Sequence, residues 1–167
     1  MATYGLNDRS YTMDANLELS DNAAAYTVTG FTQCRGADGL VDLGGNQGTS
    51  PKQQARLDAV CVCKVSVLDA TTTDESYRLL VLGSNDPAFA NGKVFVLAEV
   101  EIGAGVLSVL GPGVAGVTGT SGIGDYEIFF TNQQAGVIYQ YVKMFMVLGG
   151  TTPILNLEAF IAVLPEP

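Results

Sequence analysis

Asp69, Asp74 and Glu75 stand around a threonine-rich turn, and their oxygens could in principle hold calcium. They lack the alternating acidic spacing and central glycine of an EF-hand, so a polar turn is the expected role. Glu99 and Glu101 share one face of an extended segment, where paired carboxylates could cut a glycosidic bond. Nothing around them marks burial, and the chain has no tryptophan for sugar stacking, so a solvated face is expected. Cys61 and Cys63 also lie two apart on one face, roughly 6.5–7 Å between Cα atoms, which is long for an unstrained disulfide. Cys-Val-Cys is not zinc-knuckle spacing, and the chain has no histidine to complete a site. These two and Cys34 are expected to be small buried thiols without chemistry, suited to a reducing cytoplasm.

The absence of histidine also excludes Ser-His-Asp and Cys-His relays. Gly44–Lys52 has glycines and a lysine but no Gly-Lys-Ser/Thr ending, and Gly119–Gly124 precedes a strand where a dinucleotide fingerprint would open a helix. Both read as loops. No catalytic, cofactor-binding or metal-binding residue is assigned, and the expectation is a protein that is not an enzyme and needs no cofactor.

The elements around these residues have the period of strands. Val142, Met144, Met146 and Leu148 alternate with Tyr141, Lys143, Phe145 and Val147. Leu155, Leu157, Ala159, Ile161 and Val163 alternate with Asn156, Glu158, Phe160 and Ala162. Period-two alternation bounded by turn residues marks antiparallel strands with one face in a core. The same reading predicts strands over 14–20, 25–33, 40–43, 57–68, 77–82, 94–102, 126–131, 137–148 and 154–164. In the 57–68 strand, Ala59, Cys61, Cys63, Val65 and Val67 are expected on one face. Ile102–Gly124 reads as a glycine-rich loop flanking a short strand. The predicted fold is all-β: an antiparallel two-sheet sandwich, most naturally a jelly roll. Residues 1–13 form an N-terminal arm, and 14–167 form a single domain with long glycine-rich loops.

Several strands are apolar on both faces. Tyr139, Tyr141 and Phe145 are read on the face opposite Val142, Met144 and Met146. Phe95 and Leu97 are read opposite Val94, Val96, Ala98 and Val100, and Phe129 opposite Ile128 and Phe130. With Tyr4 and Tyr11 of the arm, these are the candidate contact residues. Two explanations stand open: a subunit or partner contact, or cover by the chain's own loops.

Composition narrows the partners. A formal charge of −9 disfavours nucleic acid and anionic membrane surfaces, and it keeps a β-protein soluble. The 167 residues can bury a sizeable core without disulfides or metal. The first sixteen residues lack the pattern of a secretory signal, and Ile102–Gly124 has too many glycines for a membrane helix.

Asp14–Ala24 (DANLELSDNAA), the Thr/Val stretch after it and Val41-Asp42-Leu43-Gly44 resemble the opening of small phage capsid-cement proteins. These are jelly-roll decoration proteins of the kind found on the Bordetella tropism-switching podophage head. The resemblance continues at Leu79–Phe89 (LLVLGSNDPAF) and over Tyr139–Ala162, with its Gly-Gly-Thr-Thr-Pro turn. The chain departs from the pattern in its longer arm, in Gly44–Gln54 and in Gly103–Gly124. The resemblance implies a virion structural protein on the outer capsid surface, assembled in the host bacterial cytoplasm. Its partners would be the major capsid protein and itself, as a homotrimer. The rival readings are a carbohydrate- or receptor-binding jelly roll and an all-β tail component.

Overall fold

Valine, isoleucine and aromatic residues dominate the long alternating runs, and these residue types fit a pleated, half-buried surface. In the computed structural model the described residues are 11, 13–44, 56–69, 74–90, 92–103 and 122–163; among them there are thirteen strands and no helix. The long strands are β6 (Asp58–Leu68), β7 (Ser76–Ser84), β8 (Val94–Ile102), β9 (Gly124–Thr131), β12 (Tyr141–Gly149) and β13 (Leu155–Val163). Shorter ones are β1 (Glu18–Asp21), β2 (Gly30–Phe31), β3 (Gln33–Cys34), β4 (Ala37–Asp38), β5 (Leu40–Asp42), β10 (Gln133–Gln134) and β11 (Val137–Ile138).

Two antiparallel sheets form the sandwich. The first runs β1-β13-β6-β9; the second runs β2-β12-β7-β8, with β5 also paired to β12. Between them lie Cys61, Cys63, Ala159 and Ile161 from the first sheet and Leu79, Val81, Met144 and Met146 from the second, all fully buried. At one side of the sandwich the sheets close: a Cβ on Gly39, just before β5, would stand 1.9 Å from the carbonyl oxygen of Leu19 in β1. Only glycine allows that backbone approach. Thr32 reinforces the junction by donating to the Leu19 carbonyl at 2.7 Å.

The structure departs from the expected pattern in three places, two of them through an extra residue in one strand. The 25–33 strand is broken into a Tyr26–Leu155 bridge, β2 and β3. In β6, Val65 opposes Leu157 and Val67 opposes Asn156, so Ser66 is an extra residue. This bulge turns Val67 outward and Leu68 inward, against the expected single face. In β8, Ala98 opposes Val81 and Val96 opposes Leu82, so Leu97 is likewise extra. Each bulge inverts the alternation beyond it. The Tyr4 contact, the Gly103–Gly124 departure beyond residue 103 and before 122, and most of Gly44–Gln54 lie outside the described residues.

Candidate functional site

The candidate contact residues divide among three places. Phe95, Leu97 and Tyr139 meet at one end of the core. Phe95 pairs with Gly83, whose alternation with Leu79 and Val81 puts it on the inner face. A Cβ on Gly83 would come within 2.8 Å of Leu97 Cδ1 and 3.0 Å of Tyr139 Cβ, so the missing side chain makes room for both. Phe95 stacks on Tyr139 with ring centroids 5.2 Å apart.

Two assignments are corrected here. Tyr139 is 3% exposed and does not belong to an outward surface. The expected run is interrupted at Tyr139–Gln140, between β11 and β12. Asn132 fixes that break: its carboxamide donates to the Tyr139 carbonyl at 3.1 Å and accepts from Leu57 N–H at 2.8 Å, while its carbonyl accepts from Tyr139 N–H at 2.8 Å. Burial raises the phenol pKa of Tyr139. Phe95 and Leu97 are not opposite Ala98 and Val100, because the extra residue at Leu97 lets Leu97, Ala98 and Val100 all pack on the core. Val96 is left facing water, and Phe95, at the end of the core, remains 46% exposed.

Phe145 and Tyr141 do lie on the outer face of β12, as the alternation requires, and both are half-buried. Phe145 is covered by the chain itself. Phe31 of β2 meets it edge to face at 5.1 Å, and Phe89 meets Phe31 at 6.0 Å. Between them lies Lys143, which the alternation places outward but which is buried. Its ammonium stands 4.7 Å from the Phe31 ring and 5.1 Å from the Phe89 ring, and it donates to Asp38 Oδ2 at 3.0 Å. Phe89 has φ 51°, a left-handed conformation that costs a bulky residue about 1–3 kcal/mol. Its ring is buried in return. The aromatic spacing of Phe31, Phe89 and Phe145 carried no local signal for this box, because three separate segments supply it.

Phe129 lies on the outer face of β9 opposite Val60 and is 50% exposed. Tyr11 packs half-buried on the same side of the first sheet, against Val60, Val62, Phe160 and Ala162. Around the edge formed by β8 and β9, which lie side by side, Phe95, Val96, Phe129 and Val137 are exposed apolar groups.

The residues considered for chemistry are held as follows. Glu99 and Glu101 are exposed, and Arg78 Nε donates to Glu101 at 2.6 Å. Asp74 is exposed and accepts from Thr151 at 2.8 Å, whereas Glu75 is fully buried, which its place in a polar turn did not foretell. Cys61 and Cys63 are fully buried with sulfurs 3.7 Å apart, and their mutual hydrogen bond and burial push the Cys61 thiol pKa well up. Cys34 is only half-buried; burial and the Glu18 carboxylate, which accepts from its thiol at 3.2 Å, push its pKa to about 11. Glu18 itself is nearly enclosed and also receives Arg35 at 3.3 Å. Among the described residues, no three of His, Cys, Asp and Glu gather as a metal site.

Compared with models of protein families, with curated proteins and with solved structures, the chain matches none.

Proposed function

We propose that this protein is a virion structural protein that binds the outer surface of a phage head and stabilises the lattice by bridging capsomers. The observation that carries the reading is the exposed apolar group along the β8–β9 side of the sandwich. Among the described residues β8 pairs only with β7 and β9 only with β6, so these are the end strands of their sheets. Exposed Phe95, Val96 and Phe129 lie on these strands, and Val137 lies on the hairpin next to β8. Exposed apolar side chains gathered on end strands favour association over a lone monomer.

The jelly-roll reading is supported by the pairing order. Taking β2 and β5 as one interrupted strand, the first principal strand pairs with the last (β1 with β13) and the second with the next to last (β2 and β5 with β12). The third pairs with the sixth (β6 with β9) and the fourth with the fifth (β7 with β8). That nesting is how a jelly roll wraps, and viral capsid and lectin domains both use it. Fold alone does not choose between them. The sequence resemblance to capsid-cement proteins favours the virion, and a charge of −9 suits the outside of a head better than a DNA-filled lumen.

The action proposed is mechanical. A protein that binds the assembled lattice better than free capsomers stabilises it by mass action, and repeated copies hold multivalently. Expanded heads lacking the protein test this. Added protein is expected to pellet with them and raise their melting temperature, and a homotrimer is expected by light scattering. Failure to pellet with heads rejects the reading, and selective binding on a glycan array would replace it with the carbohydrate-binding one.

A further inference from the structure

The thiols of Cys61 and Cys63 are a nucleophilic pair that the proposed function leaves unused. Their sulfurs stand 3.7 Å apart, and both side chains are fully buried. A disulfide needs its sulfurs about 2.05 Å apart and its Cα atoms usually about 5.5–6 Å apart. Residues two apart on an extended strand instead hold their Cα atoms roughly 6.5–7 Å apart. A bond between the two cysteines would therefore shorten β6 by about 1 Å around Val62.

β6 cannot shorten alone, because it lies between β13 and β9 in its sheet. Cys61 pairs with Ile161 and Ile128, Val62 with Phe160 and Glu127, and Cys63 with Ala159 and Tyr126. Both ladders run in unbroken register across these three residues, so a contraction here pulls β6 out of step with two neighbours at once.

We propose that the folded sandwich and a Cys61–Cys63 disulfide exclude one another, which makes this pair a redox gate on folding. In the unfolded chain, one cysteine thiolate attacks a small disulfide such as oxidised glutathione, forming a mixed disulfide and releasing one glutathione. The second cysteine thiolate then attacks that cysteine sulfur and releases the other glutathione. Two protein thiols are oxidised, the glutathione disulfide is reduced to two thiols, and the two protons end on the glutathiones. In the folded chain neither sulfur can be reached, and burial with the mutual hydrogen bond keeps the Cys61 thiolate scarce. A chain that folds while reduced keeps its thiols. One oxidised beforehand is held out of the fold by mass action.

The test uses the full chain with Cys34→Ser, so that Cys61 and Cys63 are its only thiols. Urea-unfolded protein is treated with oxidised glutathione and digested with trypsin; the peptide 57–64 carries both cysteines. That peptide is expected to be two hydrogens lighter and free of glutathione adduct. After urea is removed, the oxidised chain should fail to regain the native circular-dichroism spectrum, and dithiothreitol should restore it. Folded protein held in the same oxidant should yield the peptide still reduced. Cys61→Ala with Cys63→Ala should refold equally with and without oxidant; if that variant does not fold, rescue of the oxidised chain by dithiothreitol supplies the control. An oxidised chain that regains the native spectrum, or a folded protein that acquires the bond with its spectrum unchanged, overturns the proposal. An unfolded chain that gives only glutathione adducts, or a thiol-free variant whose refolding the oxidant still blocks, overturns it as well.

Discussion

Removing the carboxylate of Asp38 strips the Lys143 ammonium of its charged partner while leaving it enclosed by Phe31 and Phe89. A hydrogen bond to a charged group contributes about 1.5–3 kcal/mol, and breaking a fully buried ion pair costs about 3–5 kcal/mol. The Asp38 side chain is 46% exposed, so solvent screens the pair and the expected cost of Asp38→Ala falls to about 1–2 kcal/mol. For a domain of this size that corresponds to a fall of roughly 2–8 °C in Tm. Lys143→Met keeps the packed stem and removes the charge, so its own cost is expected to stay within about 1 kcal/mol. In the Lys143→Met background, Asp38→Ala should be nearly silent, giving a coupling of about 1 kcal/mol or more. Urea unfolding followed by circular dichroism measures all four corners of the cycle. Equal effects of Asp38→Ala in both backgrounds would refute the coupling and leave the box as apolar cover alone.

Gly39→Ala should destabilise by about 3 kcal/mol or more, because its Cβ would collide with the Leu19 carbonyl rather than with a movable side chain; urea titration checks this, and a neutral variant would show that the β1–β5 junction can open. Cys34, with its pKa at about 11 instead of 9.0, should hold about a hundredth of the usual thiolate at pH 8. Alkylation followed by mass spectrometry should find it correspondingly slow, with Cys61 and Cys63 reacting only after unfolding. Because the folded-state pKa is raised, the neutral Cys34 thiol contributes stability that is complete below pH 9.0 and lost as pH rises through about 11. A melting temperature that rises between those values would contradict the assignment. Phe95→Glu together with Phe129→Glu should weaken association and head binding while preserving the β circular-dichroism spectrum; unchanged sedimentation with heads would remove the β8–β9 edge from the contact.

The alternation in 141–149 and 155–163 was legible because a half-buried strand must change face at every residue. Val142, Met144, Met146, Leu155, Leu157, Ala159 and Ile161 all lie in the core as that period requires. The same rule failed at Val67 and Leu97, because one extra residue in a ladder reverses every face after it, and the partner strand, distant in sequence, decides where it falls. Tyr139 misled for a related reason: Asn132 and Leu57 break the strand there, and neither is its sequence neighbour along the run.

By itself the sequence determined the all-β class, the long strands and the core faces of β12 and β13, since these depend on residue type and a local period. It also determined the net charge of −9 and the absence of histidine. Only the tertiary structure decided which surplus apolar residues are covered. Phe145 is covered because Phe31, from a segment distant in sequence, packs edge to face on it with Phe89 against Phe31, while Phe129 stays half exposed at an edge. Burial of an outer face depends on what another part of the chain lays over it, and that is a long-range property no local pattern encodes.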